Sequence, residues 1–194
     1  MYNVFRRVVR YAAVRVLVTV LLLVTAAAVH THLSPDIPET GTAEPPCHAD
    51  VELKYVVDGD TIRVVHEGND EYVRLLGIDT PELGENDPER WYGIHDPAWL
   101  SYHGELSTEY VRGLIAPGDT VRLVFDGSTD DRCYHGRLLA YVEVNGTDVG
   151  ALLIENGLAM HFGIRRFQRE ELYASLEDAA REKGVGIWSE GLDR

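Results

Sequence analysis

The chain has 194 residues, 45% of them hydrophobic, which is enough for one domain with a real core plus an appendage. Its 18 basic and 32 acidic residues give a net charge of −14. That is the wrong global sign for a protein holding nucleic acid over its whole surface, so any such binding needs a local cationic site or salt that screens the repulsion.

Residues 1–29 contain no acid and four arginines, Arg6, Arg7, Arg10 and Arg15, followed by an apolar run of 14 residues broken only by threonines. This is a targeting segment, and two forms of it fit. The run is shorter than the roughly 20 residues of a spanning helix, but snorkelling of Arg15 extends it back towards Val8 and allows an uncleaved membrane anchor. Ala26-Ala27-Ala28 equally offers small residues for a cleaved signal. The expected location is extracellular or at the cell surface, with the membrane as a partner if the segment is retained. Residues 30–49 hold four prolines and no apolar periodicity and read as a linker, with His30, His32 and His48 solvated in it. Without residues 1–29 the chain keeps 18 − 4 = 14 basic residues against 32 acidic ones, a net −18.

A domain is expected over residues 50–190, leaving a short tail at 191–194. From Val51, V-E-L-K-Y-V-V and I-R-V-V-H flank an Asp58-Gly59-Asp60 turn, and Glu67-Gly68-Asn69-Asp70 turns into a third strand that reaches Ile78. The meander brings the Asp58/Asp60 turn and the Asp79/Glu82 turn to the ends of neighbouring strands. Residues 73–82, V-R-L-L-G-I-D-T-P-E, place Arg74 and Asp79 on opposite faces of a straight strand, so a bend near Gly77 is predicted to bring them together. Residues 83–104, with Trp91, Trp99 and Tyr102, read as a long ordered loop or lid, in which His95 and His103 lack an adjacent nucleophile. A helix over 105–115, strands over 120–125 and 136–144, an Asn145-Gly146 hairpin, and helices over 148–156 and 168–183 complete the chain. Cys47 and Cys133 are too few for a disulfide scaffold; one bridge or two free thiols both fit. The class is α+β, mainly β: a five-stranded barrel of the oligonucleotide-binding (OB) type with about three helices. A monomer is expected.

Hard divalent cations want several oxygen ligands, and Asp60, Asp79 and the carbonyl of Thr80 leave room for waters and a phosphate. Hydrolysis of a phosphodiester also needs a group that positions or deprotonates water, which suits Glu82, and cationic forks on the phosphoryl oxygens, which suit Arg74 and Arg137. V-V-D-G-D-T-I-R-V, V-R-L-L-G-I-D-T-P-E, G-R-L-L-A-Y-V, L-L-I-E-N-G-L-A and G-I-W-S together resemble the staphylococcal nuclease (thermonuclease) family in order and spacing, over residues 51–189. The resemblance implies an OB-fold barrel and a calcium-dependent endonuclease that acts on DNA, often on RNA, and leaves 3′-phosphate ends. By it, Asp60 and Asp79 match the Ca2+ ligands and Thr80 the carbonyl donor, while Glu82 matches the glutamate of the attacking water. Arg74 and Arg137 match the phosphate-binding arginines, and Asp58 an aspartate just behind the ion.

Two departures stand out. After Gly157-Leu158-Ala159 the chain reads M-H-F-G-I-R-R-F, without the aromatic hydroxyls that stack on the nucleotide in the family's founding member. The 83–104 segment is also longer than in compact members. The alternatives are a non-catalytic oligonucleotide-binding OB module, which would have lost several of the charged residues present here, and a calcium-binding structural domain, which leaves both arginines without a purpose. The acid excess, with Lys54 the one lysine before Lys183, suits adaptation to salt. The expected outcome is that cooperative unfolding of the purified protein, followed by circular dichroism, is seen in molar salt and lost in dilute buffer.

Overall fold

A computed structural model describes residues 47–91, 94, 96–129, 132–133, 135–163 and 166–189. The targeting segment, linker residues 30–46, Tyr92, His95, Tyr134 and the tail lie outside the described residues. The chain runs β1 (His48–Val56), β2 (Thr61–His66), β3 (Asn69–Leu75), β4 (Ile78–Asp79), α1 (Pro97–Leu114), β5 (Thr120–Val124), β6 (Leu138–Val144), β7 (Thr147–Asp148), α2 (Val149–Glu155), β8 (Met160–His161) and α3 (Glu170–Lys183). Single 3-10 turns at Pro88–Arg90 and Gly186–Trp188 complete it. β1 begins at His48, inside the stretch read as linker, because residues 48–52 pair with β5.

The large sheet has the order β3-β2-β1-β5-β6-β7, and a parallel pairing of β3 with β6 closes its first five strands into the expected OB barrel. Alternation fills the interior: Ile62, Val64 and Val73 are fully buried and their strand neighbours face out. Both predicted tight turns form, with positive φ at Glu67 and Gly68 and at Asn145 and Gly146. Cys47 and Cys133 are both free.

The first correction concerns α1, which starts at Pro97 rather than near residue 105. Asp96 caps it by accepting from the Ala98 N–H at 2.9 Å, and proline in the first turn loses no hydrogen bond. Gly104 hid this part of the apolar stripe. It is there for a close approach: a Cβ at residue 104 would stand 2.5 Å from the Glu82 carbonyl oxygen and 2.6 Å from that of Pro81. The helix thus braces the strand-end turn that carries Glu82.

The 83–104 segment is therefore half loop and half helix, and it belongs to a second small core. Trp91, Ile94 and Leu100 pack there with Met160, Ala180, Ile187 and Trp188. The C-terminal G-I-W is pinned to the barrel side by the Ile187 N–H, which donates to the Gly157 carbonyl at 2.8 Å. His103 is buried in this region, with Nδ1 3.0 Å from the Trp99 carbonyl and its ring 4.2 Å from the Trp99 ring. Burial pushes its pKa down, and it does not line the cleft that holds the predicted site residues, so it packs this second core.

The predicted bend is at Gly77, whose φ is 80°. A Cβ there would sit 2.5 Å from the Phe167 ring, so both backbone and space demand glycine. Gly77→Ala is expected to destabilise the domain by about 2 to 4 kcal/mol, from a strained φ and an overpacked contact together. Urea unfolding checks it; an unchanged midpoint would mean that the bend is not constrained by its glycine.

Candidate active site

Three elements meet at one end of the barrel. Thr61 at the start of β2 pairs with Arg74 near the end of β3, and the Leu75 N–H donates to the Asp60 carbonyl at 2.8 Å, carrying the ladder one residue into the β1–β2 turn. After Leu75 the chain turns through Leu76 and Gly77 into β4, where Asp79 pairs with Met160 of β8. This reversal removes the parity conflict between Arg74 and Asp79, which stand five residues apart.

Arg74 lies between the two aspartates. One terminal nitrogen of its guanidinium contacts the Asp60 carboxylate, while the other donates to Asp79 and also to the Ile78 carbonyl at 3.2 Å. Asp60 and Asp79 are each 3% exposed, and Arg74 is shared between these two buried carboxylates. Asp60 is steadied further by Thr80, whose N–H and hydroxyl donate to its Oδ2 at 2.9 and 3.1 Å, and by Thr61, whose hydroxyl donates to Oδ1 at 3.0 Å. Thr80 thus stands behind Asp60. Asp58 accepts from the Asp60 N–H at 3.1 Å and holds the turn. Burial raises the Asp58 pKa against the opposing pull of Arg74, and burial lowers that of Arg74 against the opposing pull of Asp79.

Arg137 reaches the same place from just before β6. Its Nη1 donates to the Thr61 hydroxyl at 3.4 Å, and its buried Nε has no hydrogen-bond partner among the described residues. A donor left in that state, at the wall of an open cleft, is disposed towards an anion. Glu82 stands exposed at the rim, with its backbone fixed by Asn86, whose Oδ1 accepts from the Glu82 N–H at 2.8 Å and whose Nδ2 donates to the Glu82 carbonyl at 3.1 Å. A cleft of about 480 Å³ brings together six of the seven predicted residues, Asp58, Asp60, Arg74, Asp79, Glu82 and Arg137.

Sequence reasoning missed Arg90. The 3-10 turn of the 83–104 segment aims its Nη2 at Asp79 Oδ2, at 2.8 Å, from the cleft wall. Its neighbour Trp91 is buried in the second core and anchors the turn. The available signal was that Arg90 is the sole Lys or Arg between Arg74 and Arg112, in an otherwise acidic stretch, directly before a tryptophan.

The donor set suits a hard cation. Two buried carboxylates already converge on the Arg74 guanidinium, and among the described residues no group of three His, Cys, Asp or Glu forms a protein-only cage. Waters and a phosphate would complete the shell of an ion held there, the habit of oxygen-seeking divalent cations rather than of zinc.

Paired buried acids, two arginine forks and a rim glutamate on an OB barrel define a hydrolase of the nuclease class. The family model described as staphylococcal nuclease homologue matches residues 72–190, and the chain belongs to that family. It is 32% identical over 138 residues to the thermonuclease of Staphylococcus intermedius, covering 70% of this chain and 74% of that one. It is 34% identical over 142 residues to the SPbeta prophage-derived endonuclease YokF of Bacillus subtilis, covering 72% of this chain but 44% of YokF. An uncharacterized protein of Methanocaldococcus jannaschii is 31% identical over 144 residues, 69% of each chain.

Removing Arg74 strips buried Asp60 of its cation and leaves Asp79 with the half-exposed Arg90 alone. Arg74→Ala is expected to cost about 3 kcal/mol of stability in chelator, and added calcium is expected to restore much of it. Arg90→Ala removes a partner whose side chain is 48% exposed, so its cost is expected to stay under about 1 kcal/mol. Urea unfolding of both variants with and without calcium checks this; an Arg74→Ala protein indifferent to calcium would refute the proposed cation site.

Proposed function

We propose that this nuclease is a calcium-dependent endonuclease that cuts phosphodiester bonds of DNA, and of RNA as well, and that it works outside the cytoplasm, secreted or held at the membrane by residues 1–29. The observation that carries the reading is the convergence of Asp60, Asp79, Arg74, Arg137 and Glu82 on one open cleft. The names of the thermonuclease and endonuclease relatives support the reaction class. The arginine-flanked apolar segment supports export.

Asp60, Asp79 and the Thr80 carbonyl would hold the ion. Calcium held there would neutralise phosphoryl charge and orient the phosphate. Arg137, with its unpartnered Nε, binds the scissile phosphate, and Arg74 adds a second fork once the acids are shared with another cation. Both forks act most strongly where charge builds on the phosphoryl oxygens in the transition state. Glu82 takes a proton from the attacking water as the new oxygen–phosphorus bond forms; the bond to the 5′ oxygen breaks and that oxygen takes a proton from solvent water, leaving a 3′-phosphate and a 5′-hydroxyl. Arg90, held on Asp79, supplies a third cation at the mouth of a domain that otherwise repels polyanions.

Incubation of the full-length protein with plasmid, single-stranded DNA and RNA, in dilute and molar salt, with calcium or chelator, tests the reading. Cleavage is expected with calcium and not with chelator. Glu82→Ala is expected to lower kcat by about 10² to 10⁴ without unfolding the protein, because the side chain is exposed. Undiminished cleavage by that variant would remove Glu82 from the mechanism. Retention of oligonucleotides without cleavage under any condition would make the protein a binding module.

A further inference from the structure

The outer face of β1, β2 and β3 carries a row of side chains that the cleft chemistry does not use. Tyr55 is the cross-strand partner of Arg63, and Arg63 that of Tyr72, so three neighbouring strands present tyrosine, arginine and tyrosine side by side. A bulge makes this possible. Val51 and Leu53 point into the core, and plain alternation would send residue 55 inward as well; the extra Lys54 in the register leaves both Lys54 and Tyr55 outside and returns Val56 to the core. Tyr55 and Tyr72 end up 44% and 40% exposed. The Arg63 guanidinium carbon lies 4.2 Å from the Tyr72 ring centroid. The charges flanking the row are Lys54 and Asp70, which pair at 2.7 Å, with Arg63 3.5 Å from the same carboxylate. With the exposed Glu52 next to them on β1, this face sets two cations against two acids, near neutrality in a chain that is acidic as a whole.

The row also runs into the cleft. Tyr72 and Arg74 are two residues apart on β3 and therefore share a face, about 7 Å apart along the strand. Arg63 and Thr61 stand in the same relation on β2, and Thr61 lines the cleft. Arg137 directly precedes Leu138, the partner of Val73. On the opposite side of the site, Met160 is buried and His161 half-buried in β8, so no exposed tyrosine follows Ala159.

We propose that Tyr55, Arg63 and Tyr72 form a stacking platform for single-stranded nucleic acid running out of the cleft, holding bases adjacent to the phosphate bound at Arg74 and Arg137. This rests on the reading of the cleft as the phosphodiester site. Aromatic faces and guanidinium planes stack on any base, so the platform adds affinity and length preference without sequence preference. The bulge keeps both rings turned outward at a place where alternation alone would bury one of them.

The test is fluorescence anisotropy with a labelled eight-nucleotide oligothymidylate and a labelled dinucleotide, on the full-length Glu82→Gln protein in calcium. The Tyr55→Ala/Tyr72→Ala pair is expected to weaken octamer binding about tenfold or more, with dinucleotide binding unchanged. Tyr55→Phe/Tyr72→Phe is expected to bind the octamer within about twofold of the parent, since stacking needs the ring and not the hydroxyl. In the otherwise unaltered enzyme the alanine pair is expected to raise KM for the octamer and leave kcat alone. Equal octamer affinity with and without the rings, or equal weakening of octamer and dinucleotide, overturns the platform. If the unaltered protein cuts nothing, the nuclease reading falls, while the anisotropy result still decides for or against the platform.

Discussion

A buried guanidinium held between two buried carboxylates fixes the working end of this barrel. Arg74 cannot leave without stranding the almost fully enclosed Asp60 and leaving Asp79 to Arg90 alone. Everything that places those three groups is therefore under constraint: the ladder from β2 to β3, the reversal at Gly77, and the pairing of β4 with β8. The same convergence explains why the site suits a cation. Two acids that tolerate one positive charge between them can share another, and doing so frees an arginine for the phosphate.

The longer 83–104 segment is a built part of the protein. It contributes tryptophan and aliphatic side chains to a second core with α3 and the C-terminal turn, and the glycine in α1 lets the helix sit against the backbone of Pro81 and Glu82. That anchoring gives Arg90 a fixed origin from which to reach Asp79. The insertion thereby touches the site twice, through the brace behind Glu82 and through an added cation at the mouth.

Charge is distributed against the bulk of the molecule. A net −18 beyond the first 29 residues repels a polyanion at distances beyond the screening length, so association depends on what the cleft and its approaches present. Arg74, Arg90 and Arg137 gather at the cleft, and Arg63 and Lys54 stand on the outer face of the barrel.

Much of the fold was legible in the chain because its signals are local. Alternation wrote the barrel strands, Glu67-Gly68 and Asn145-Gly146 wrote their turns, and the conflict in facing between Arg74 and Asp79 demanded a bend where glycine stands. Six of the seven named site residues share a cleft: the meander brings together the turns and strand ends that carry five of them, and the pairing of β3 with β6 adds Arg137. The rest depended on contacts between residues far apart in sequence. The start of α1 was masked because Gly104 serves a backbone approach rather than helix propensity. His103 turned out to be a packing residue only once Trp99 and the second core were in view. Arg90 belongs to the site through a tertiary reach to Asp79. The outward turn of Tyr55 follows from a one-residue slip between β1 and β2 that neither strand reveals alone. The sequence by itself determined the barrel, its turns and the chemistry at their ends, because each follows from the period of a strand and the needs of a turn. Which other side chains join that chemistry was decided by tertiary structure alone, because pairing register and packing set distances that no spacing along the chain encodes.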